Sequence, residues 1–230
     1  MAKRYGMVIN LHRCVGCGGC DIACKSENNV PDSFAWSNHV QETSGVFPDV
    51  QYRYIPTMCN HCENAPCVAN CPTTAMYKSD DGLTLHDASK CIGCRACQVA
   101  CPYGVIYFNK DAPHPRYTND EEALLPGCTA TGRETAERVG APIPYYNPSR
   151  AETYEGIRSR GVVEKCTFCD HRLHNNQLPA CVEACPADAR MFGDLNDPDS
   201  PPSRALAKHQ RRVLKPEQGT RPRVFYIREF

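Results

Sequence analysis

The chain has 230 residues, 41% hydrophobic and 8% aromatic, and its 26 basic residues balance its 26 acidic ones. A formal charge of zero gives no electrostatic case for nucleic acid, and no apolar run is long enough to span a bilayer. The length suits one domain or two small ones, around a core poor in aromatic residues, and 17 cysteines stand out against that background.

The segment Met1 to Asn10 holds no apolar signal stretch. Tyr5 to Asn10 reads as a strand leading into Cys14, Cys17, Cys20 and Cys24, spaced C-x2-C-x2-C-x3-C. Val50 to Ile55 reads as a strand before Cys59, Cys62, Cys67 and Cys71, where one spacing is stretched to four. Ala75-Met76-Tyr77 reads as a return strand, and Leu83 to His86 precedes Cys91, Cys94, Cys97 and Cys101, which repeat the first spacing. Val105 to Phe108 returns from that group. Residues 109–160 form a long polar segment, with Cys128 inside it and without a companion at ligand spacing, which reads as an inert thiol. Gly161 to Glu164 precedes Cys166, Cys169, Cys181 and Cys185, whose second and third members are separated by a longer loop. Ala189 to Phe192 is the third return strand, following the fourth group. Residues 197–230 read as a C-terminal tail, with Lys208-His209-Gln210-Arg211-Arg212 as a solvated helix face and Arg223 to Ile227 as an edge strand.

Sixteen cysteines in four groups of four match the ligand demand of four [4Fe-4S] clusters. A C-x2-C-x2-C loop curls so that three sulfurs face three corners of a cube, and the fourth cysteine leaves on the following helix. Proline follows that fourth cysteine at Cys71-Pro72, Cys101-Pro102 and Cys185-Pro186, while the first group has Cys24-Lys25. A disulfide scaffold is the weaker reading, because cysteines so close in one tight loop pair poorly. Structural zinc uses two C-x2-C pairs and would leave the third cysteine of each run idle.

The repeat of strand, cysteine loop and short helix predicts an α+β fold of two ferredoxin-like modules with long loop insertions. Residues 1–45 and 161–196 would make an outer module, 46–108 an inserted one, 109–160 a partner-contacting insertion, and 197–230 the tail. In two-cluster ferredoxins the fourth cysteine crosses to the other cluster. That wiring predicts four ligand sets: Cys14, Cys17, Cys20 and Cys185; Cys24, Cys166, Cys169 and Cys181; Cys59, Cys62, Cys67 and Cys101; Cys71, Cys91, Cys94 and Cys97.

The order of the groups, the wide fourth loop, Cys59-Asn60-His61-Cys62 and Lys165-Cys166-Thr167-Phe168-Cys169-Asp170-His171-Arg172 resemble the iron–sulfur subunits of the dimethyl-sulfoxide-reductase family of molybdopterin oxidoreductases. The resemblance covers nearly the whole chain. Val15 to Cys20, Trp36 to His39, Phe192 to Pro198 and Pro222 to Ile227 are similar to the respiratory arsenate reductase branch. Some family members replace one ligand with Trp, whereas all sixteen positions here are cysteine.

The resemblance implies a non-catalytic electron-transfer subunit that serves a large molybdopterin-containing catalytic subunit in anaerobic respiration. Its other contact would be a membrane quinol-oxidising subunit or a soluble cytochrome. The alternatives are a polysulfide, thiosulfate or tetrathionate reductase subunit, a free-standing polyferredoxin, or a structural metal module. No acid–base or nucleophilic constellation gathers near the cysteines, so no catalytic residue is assigned. His61 and His171 read as structural histidines beside ligands. The expected compartment is the periplasm, reached folded with a partner that carries a twin-arginine signal, and the alternative is the cytoplasm. Arg13, Lys90 and Lys165 precede groups one, three and four, whereas group two has Met58 there and Glu63 in its loop. On charge alone, the cluster of Cys59, Cys62 and Cys67 is expected to be among the harder ones to reduce.

Overall fold

The structure is a computed structural model that describes residues 3–31, 33–110, 130–140 and 159–228. It is an α+β fold of short elements. The main sheet has the order β8-β1-β10-β9, with β1 at Tyr5–Asn10, β8 at Arg190–Asp194, β9 at Arg211–Arg212 and β10 at Val224–Ile227. Strand β1 runs parallel to β10, pairing Met7 with Val224 and Ile9 with Tyr226, and antiparallel to β8, pairing Met7 with Phe192.

The period-2 alternation of strand side chains gives this sheet two buried faces. Met7, Ile9, Val224, Tyr226 and Phe192 point into the core that also holds Cys24, Cys59, Cys166 and Cys181. Val8, Phe225 and Ile227 pack on the opposite face against Ala205 and Leu206 of α7, Pro201–Lys208. Ser200 caps that helix, its hydroxyl accepting from the Ser203 N–H at 3.3 Å, and Pro201 fits the first turn, where no N–H is needed. Burying each such aliphatic side chain contributes about 1.5–3 kcal/mol.

Two expectations for the C-terminal region are corrected. Val224 to Ile227 is an interior strand, since β9 covers its outer side through Tyr226–Arg212 and Ile227–Arg211. The basic stretch is not a helix face: α7 ends at Lys208, and Arg211 and Arg212 form β9, exposed on the sheet margin. Residues 197–230 are therefore not an appended tail, because Val224, Tyr226 and Ile227 are fully buried.

A long hairpin of β2, Asn38–Val46, and β3, Asp49–Thr57, pairs nine residues a side around Phe47-Pro48. The boundary drawn at residues 45 and 46 thus passes through one hairpin. Its tip is exposed and apolar at Val46, Phe47, Val50 and Tyr52, while at its base Tyr54 stacks on His39 with ring centroids 4.0 Å apart.

The remaining elements carry the cysteines. They are α1 at Gly19–Glu27, α2 at Pro66–Ala69, β4 at Met76–Lys78, β5 at Thr84–His86, α3 at Ala96–Ala100, β6 at Tyr107–Phe108, α4 at Gly132–Val139, β7 at Val163–Glu164, α5 at Asp170–His174 and α6 at Ala180–Glu183. Helix α1 packs on α6, and α2 packs on α3. Strands β4 and β5 pair, and β6 pairs with β7, which ties the return from the third group to the approach of the fourth. Within 109–160, α4 opens on a reciprocal cap in which Thr131 N–H donates to Glu134 Oε2 at 2.8 Å and Glu134 N–H to Thr131 Oγ1 at 3.2 Å. Cys128 lies outside the described residues. Among those residues no helix is long and apolar enough to cross a membrane.

Candidate metal centres

Each cysteine loop bends at the same place. The residue before the second cysteine has a left-handed backbone in all four groups: Gly16 at φ 69°, His61 at 43°, Gly93 at 69° and Phe168 at 58°. Glycine adopts this conformation freely, and at Gly93 nothing larger fits, because a Cβ would lie 2.2 Å from the Gly161 carbonyl oxygen. His61 and Phe168 adopt it with large side chains, and those two rings stack on each other, centroids 3.8 Å apart. The stack joins the second and fourth groups in the centre of the molecule.

Backbone N–H groups point at sulfur, from the turn itself and from the chain after the fourth cysteine. Phe168 N–H donates to Cys166 Sγ at 3.4 Å, Gly93 N–H to Cys91 Sγ at 3.5 Å, Met76 N–H to Cys71 Sγ at 3.4 Å and Ala189 N–H to Cys185 Sγ at 3.3 Å. The Asn28 side-chain amide reaches both Cys24 Sγ at 3.6 Å and Cys169 Sγ at 3.7 Å.

The thiols fall into neighbourhoods drawn from different parts of the chain. Cys14, Cys17, Cys20 and Cys185 line one cavity together with Gly16, Tyr54 and Arg190. Cys71, Cys91, Cys94 and Cys97 line another with Met76, His86 and Arg95. Burial pushes Cys24 well above the usual thiol range, followed by repulsion from Cys166, Cys169 and Cys181. Burial also pushes Cys67 up to about 12 and Cys62 up to about 11, and Cys59 and Cys101 add to both. Cys97 is raised to about 11 by burial, then by Cys71 and Cys91. Buried thiols pressed together in this way can ionise only when cations neutralise them, so the residues fit a cationic metal group. Among the described residues no three Cys, His, Asp or Glu are arranged to hold a single metal ion. In the two cavities the sulfurs line a space, as ligands bound to different irons of one cluster do.

The two histidines are fully buried. His61 Nδ1 accepts from Thr84 N–H at 3.1 Å, and burial, then Lys165, holds it well below the usual imidazole range. His171 Nε2 meets Glu27 Oε1 at 2.7 Å, and Arg172 joins the same carboxylate at 3.1 Å, fastening α5 to α1.

The charge pattern around the second group differs from the sequence reading. Glu63 is not an isolated negative charge: it pairs with Arg4, with Arg221 at 3.0 Å and with Arg223 at 3.9 Å. Lys165 is buried, and its Nζ donates to Thr84 O and to Cys166 O at 2.9 Å. Lys78 Nζ donates to Cys62 O at 2.9 Å. Cations therefore dominate around Cys59, Cys62 and Cys67, the reverse of the expectation built on Glu63. Lys78, Arg190 and Asn28 were not singled out from sequence. Arg190 had a signal, being a charged residue at an inward position of an apolar return strand.

Cysteines from distant parts of the chain gathered into neighbourhoods, with N–H groups turned on their sulfurs, define an iron–sulfur protein of the many-cluster kind. The family model described as a 4Fe-4S dicluster domain matches residues 50–131 and 118–195. The chain is 55% identical over 228 residues to the arsenate respiratory reductase iron-sulfur subunit of Shewanella sp. (strain ANA-3), covering 99% of this chain and 97% of that protein. It is 35% identical to a tetrathionate reductase subunit of Salmonella typhimurium, over 97% of this chain and 72% of that protein. It is 32% identical to a polysulfide reductase polypeptide of Wolinella succinogenes, over 99% and 95%. The chain belongs to the four-cluster iron–sulfur subunits of the dimethyl-sulfoxide-reductase family. It is an electron-transfer subunit of a multi-subunit reductase with a separate catalytic subunit, and its cofactors are [4Fe-4S] clusters.

Proposed function

We propose that the chain relays electrons between a respiratory donor and the molybdopterin subunit of an arsenate reductase. It would do so through four [4Fe-4S] clusters held by Cys14, Cys17, Cys20 and Cys185; by Cys24, Cys166, Cys169 and Cys181; by Cys59, Cys62, Cys67 and Cys101; and by Cys71, Cys91, Cys94 and Cys97. When bound, the clusters supply one-electron exchange. The observation that carries the relay reading is that the four quartets lie in series. Cys20 feels Cys181, Cys166 feels Cys59, and Cys67, Cys71, Cys97 and Cys101 share one apolar cluster. The quartets at the two ends reach the surface through Cys17 and Cys94, and the two between them hold mostly buried thiols.

Within this reading, the packing of α1 on α6 supports an outer ferredoxin-like module, and that of α2 on α3 supports an inserted one. The arsenate assignment draws on the 55% identity to the arsenate respiratory reductase subunit. The complex would work in the periplasm, its chains exported together on the catalytic subunit's twin-arginine signal, with a quinol-oxidising membrane subunit or a soluble cytochrome as donor.

The test is co-purification followed by reoxidation. The dithionite-reduced complex should contain molybdenum in a larger chain and should regain its iron–sulfur absorbance on addition of arsenate, faster than with tetrathionate or polysulfide. Recovery with tetrathionate alone would remove the arsenate reading and keep the relay. Purification without a larger chain would favour a free-standing polyferredoxin. Deleting the partner's signal should leave both chains in the cytoplasm, and export of this chain without it would refute shared transport.

A further inference from the structure

Arg190 of β8 is only 3% exposed, inside the core rather than at its surface. Its Nη2 donates to Cys20 Sγ at 3.1 Å and to Ser37 Oγ at 3.2 Å, and its Nη1 lies 3.6 Å from Met58 Sδ. A buried guanidinium needs a counter-charge, since an unpaired one is strongly destabilising. Among the described residues Arg190 forms no salt bridge with a carboxylate. Asp21, the carboxylate in its field, is engaged by His39 Nδ1 at 2.7 Å and by the Ser37 hydroxyl at 2.8 Å. The groups that act on Arg190 most strongly after burial are Cys181 and Cys20. The remaining neighbours are neutral: Tyr226 donates its hydroxyl proton to Pro56 O at 2.7 Å.

We infer that Arg190 sets a reduction potential, its buried guanidinium serving as counter-ion to the cluster that Cys20 ligates. One-electron reduction adds one negative charge to that cluster, and a fixed cation bonded to its sulfur favours the reduced form. The quartet at the other end supplies the contrast. Its sulfurs are met by the backbone N–H groups of Met76 and Gly93 and the hydroxyl of Thr73, and neither Arg95, which lines the same cavity, nor Lys90 is hydrogen-bonded to a sulfur among the described residues. Arg95 lies over the Phe108 ring at 3.8 Å, and Lys90 pairs with Asp87 at 3.0 Å. Arg190 therefore biases one end of the relay toward accepting electrons, while at the other end no described cation is bonded to a sulfur.

The inference rests on the cluster reading above, but it names its centre by Cys20 alone. Cys20→Ser identifies the spectroscopic signal of that centre, and Cys17→Ser and Cys185→Ser test its companions separately. The experiment is a redox titration of the intact, cluster-loaded complex followed by electron paramagnetic resonance, comparing Arg190→Gln and Arg190→Lys. Arg190→Gln should lower the reduction equilibrium constant of the Cys20 centre at least tenfold, about 59 mV for one electron. The Cys94 centre should change less than about threefold under the same conditions. Arg190→Lys keeps the charge and should stay within about threefold of the parent. An unchanged potential in Arg190→Gln overturns the inference, and so does an equal shift in both variants, because charge would then not be the cause. If Arg190→Gln fails to retain the Cys20 centre, Arg190→Lys decides. Parental iron content and potential in the lysine variant support the counter-ion role, and loss of the centre there too overturns it.

Discussion

The two inner quartets and the two outer ones are built from the same loop but live in different surroundings. The inner sulfurs of Cys24, Cys166, Cys169 and Cys181 are all buried, as are Cys59, Cys62 and Cys67, and burial with mutual repulsion pushes Cys24 and Cys166 far above the ordinary thiol range. In the outer quartets Cys17 and Cys94 are exposed. At Cys71 burial opposes the shift, yet the Met76 N–H and the Thr73 hydroxyl hold the thiol below its usual value. The inner pair is insulated and the outer pair is accessible. A relay needs both, since its ends exchange electrons with other proteins while its middle is kept from side reactions with solvent.

The largest effect that sharpens this contrast is ligand loss. Cys24→Ser should remove or convert the same centre as Cys169→Ser, lower iron by between one atom and one cluster per chain and stop transfer through the complex. Cys94→Ser should leave the other three signals in place. Iron analysis with low-temperature spectra checks this, and a Cys24→Ser spectrum that matched Cys17→Ser would break the crossed ligand sets.

Next come the loop glycines. Gly93→Ala adds a collision with the Gly161 carbonyl to an unfavourable φ of 69°, for a loss of about 3 kcal/mol. Gly16→Ala meets the movable ring of Tyr54 at 3.0 Å and should cost about 1–2 kcal/mol. Thermal loss of cluster absorbance should rank them in that order, and equal midpoints would contradict it.

Lys165→Met removes a buried cation whose field reaches Cys67. It should lower the reduction equilibrium constant of an inner centre about tenfold, near 59 mV, and leave the Cys94 centre unmoved. A redox titration in which only the outer centres shift would dissociate Lys165 from the inner pair. The smallest effect is expected of Glu63→Gln. With three arginines around the carboxylate, the potential should move less than about threefold, and stability should fall by about 1 kcal/mol or less. A tenfold rise in the reduction constant would restore Glu63 as a dominant charge.

Much of this contrast was legible in the sequence. Tyr5 to Asn10 and the apolar returns after the second, third and fourth cysteine groups show the short periodicity of strands, and the cysteine spacings mark the loops. Strand β2 was missed because nearly all of Asn38–Val46 is exposed, which leaves no inward-outward alternation to read. Val224 to Ile227 was legible as a strand but misplaced at an edge. Its unbroken run of apolar side chains is what a strand buried on both faces requires. Charge at the second group was misjudged because Arg4, Arg221 and Arg223 reach Glu63 from distant sequence, and no local pattern announces them. The left-handed backbones of His61 and Phe168 were hidden for a different reason: they are imposed by the loop at residues that rarely adopt them.

The parallel pairing of β1 with β10 also bears on how the molecule is made. A ribosome delivers Tyr5 long before Val224, and the thiols of Cys14, Cys17 and Cys20 emerge long before Cys185. Through the synthesis of everything between them, β1 has an unpaired edge that invites association with other chains, beside cysteines open to oxidation. Closure of the main sheet is consequently a late event: protection of that end of the chain has to last until Val224 to Ile227 have emerged, and iron delivery there has to wait for Cys185.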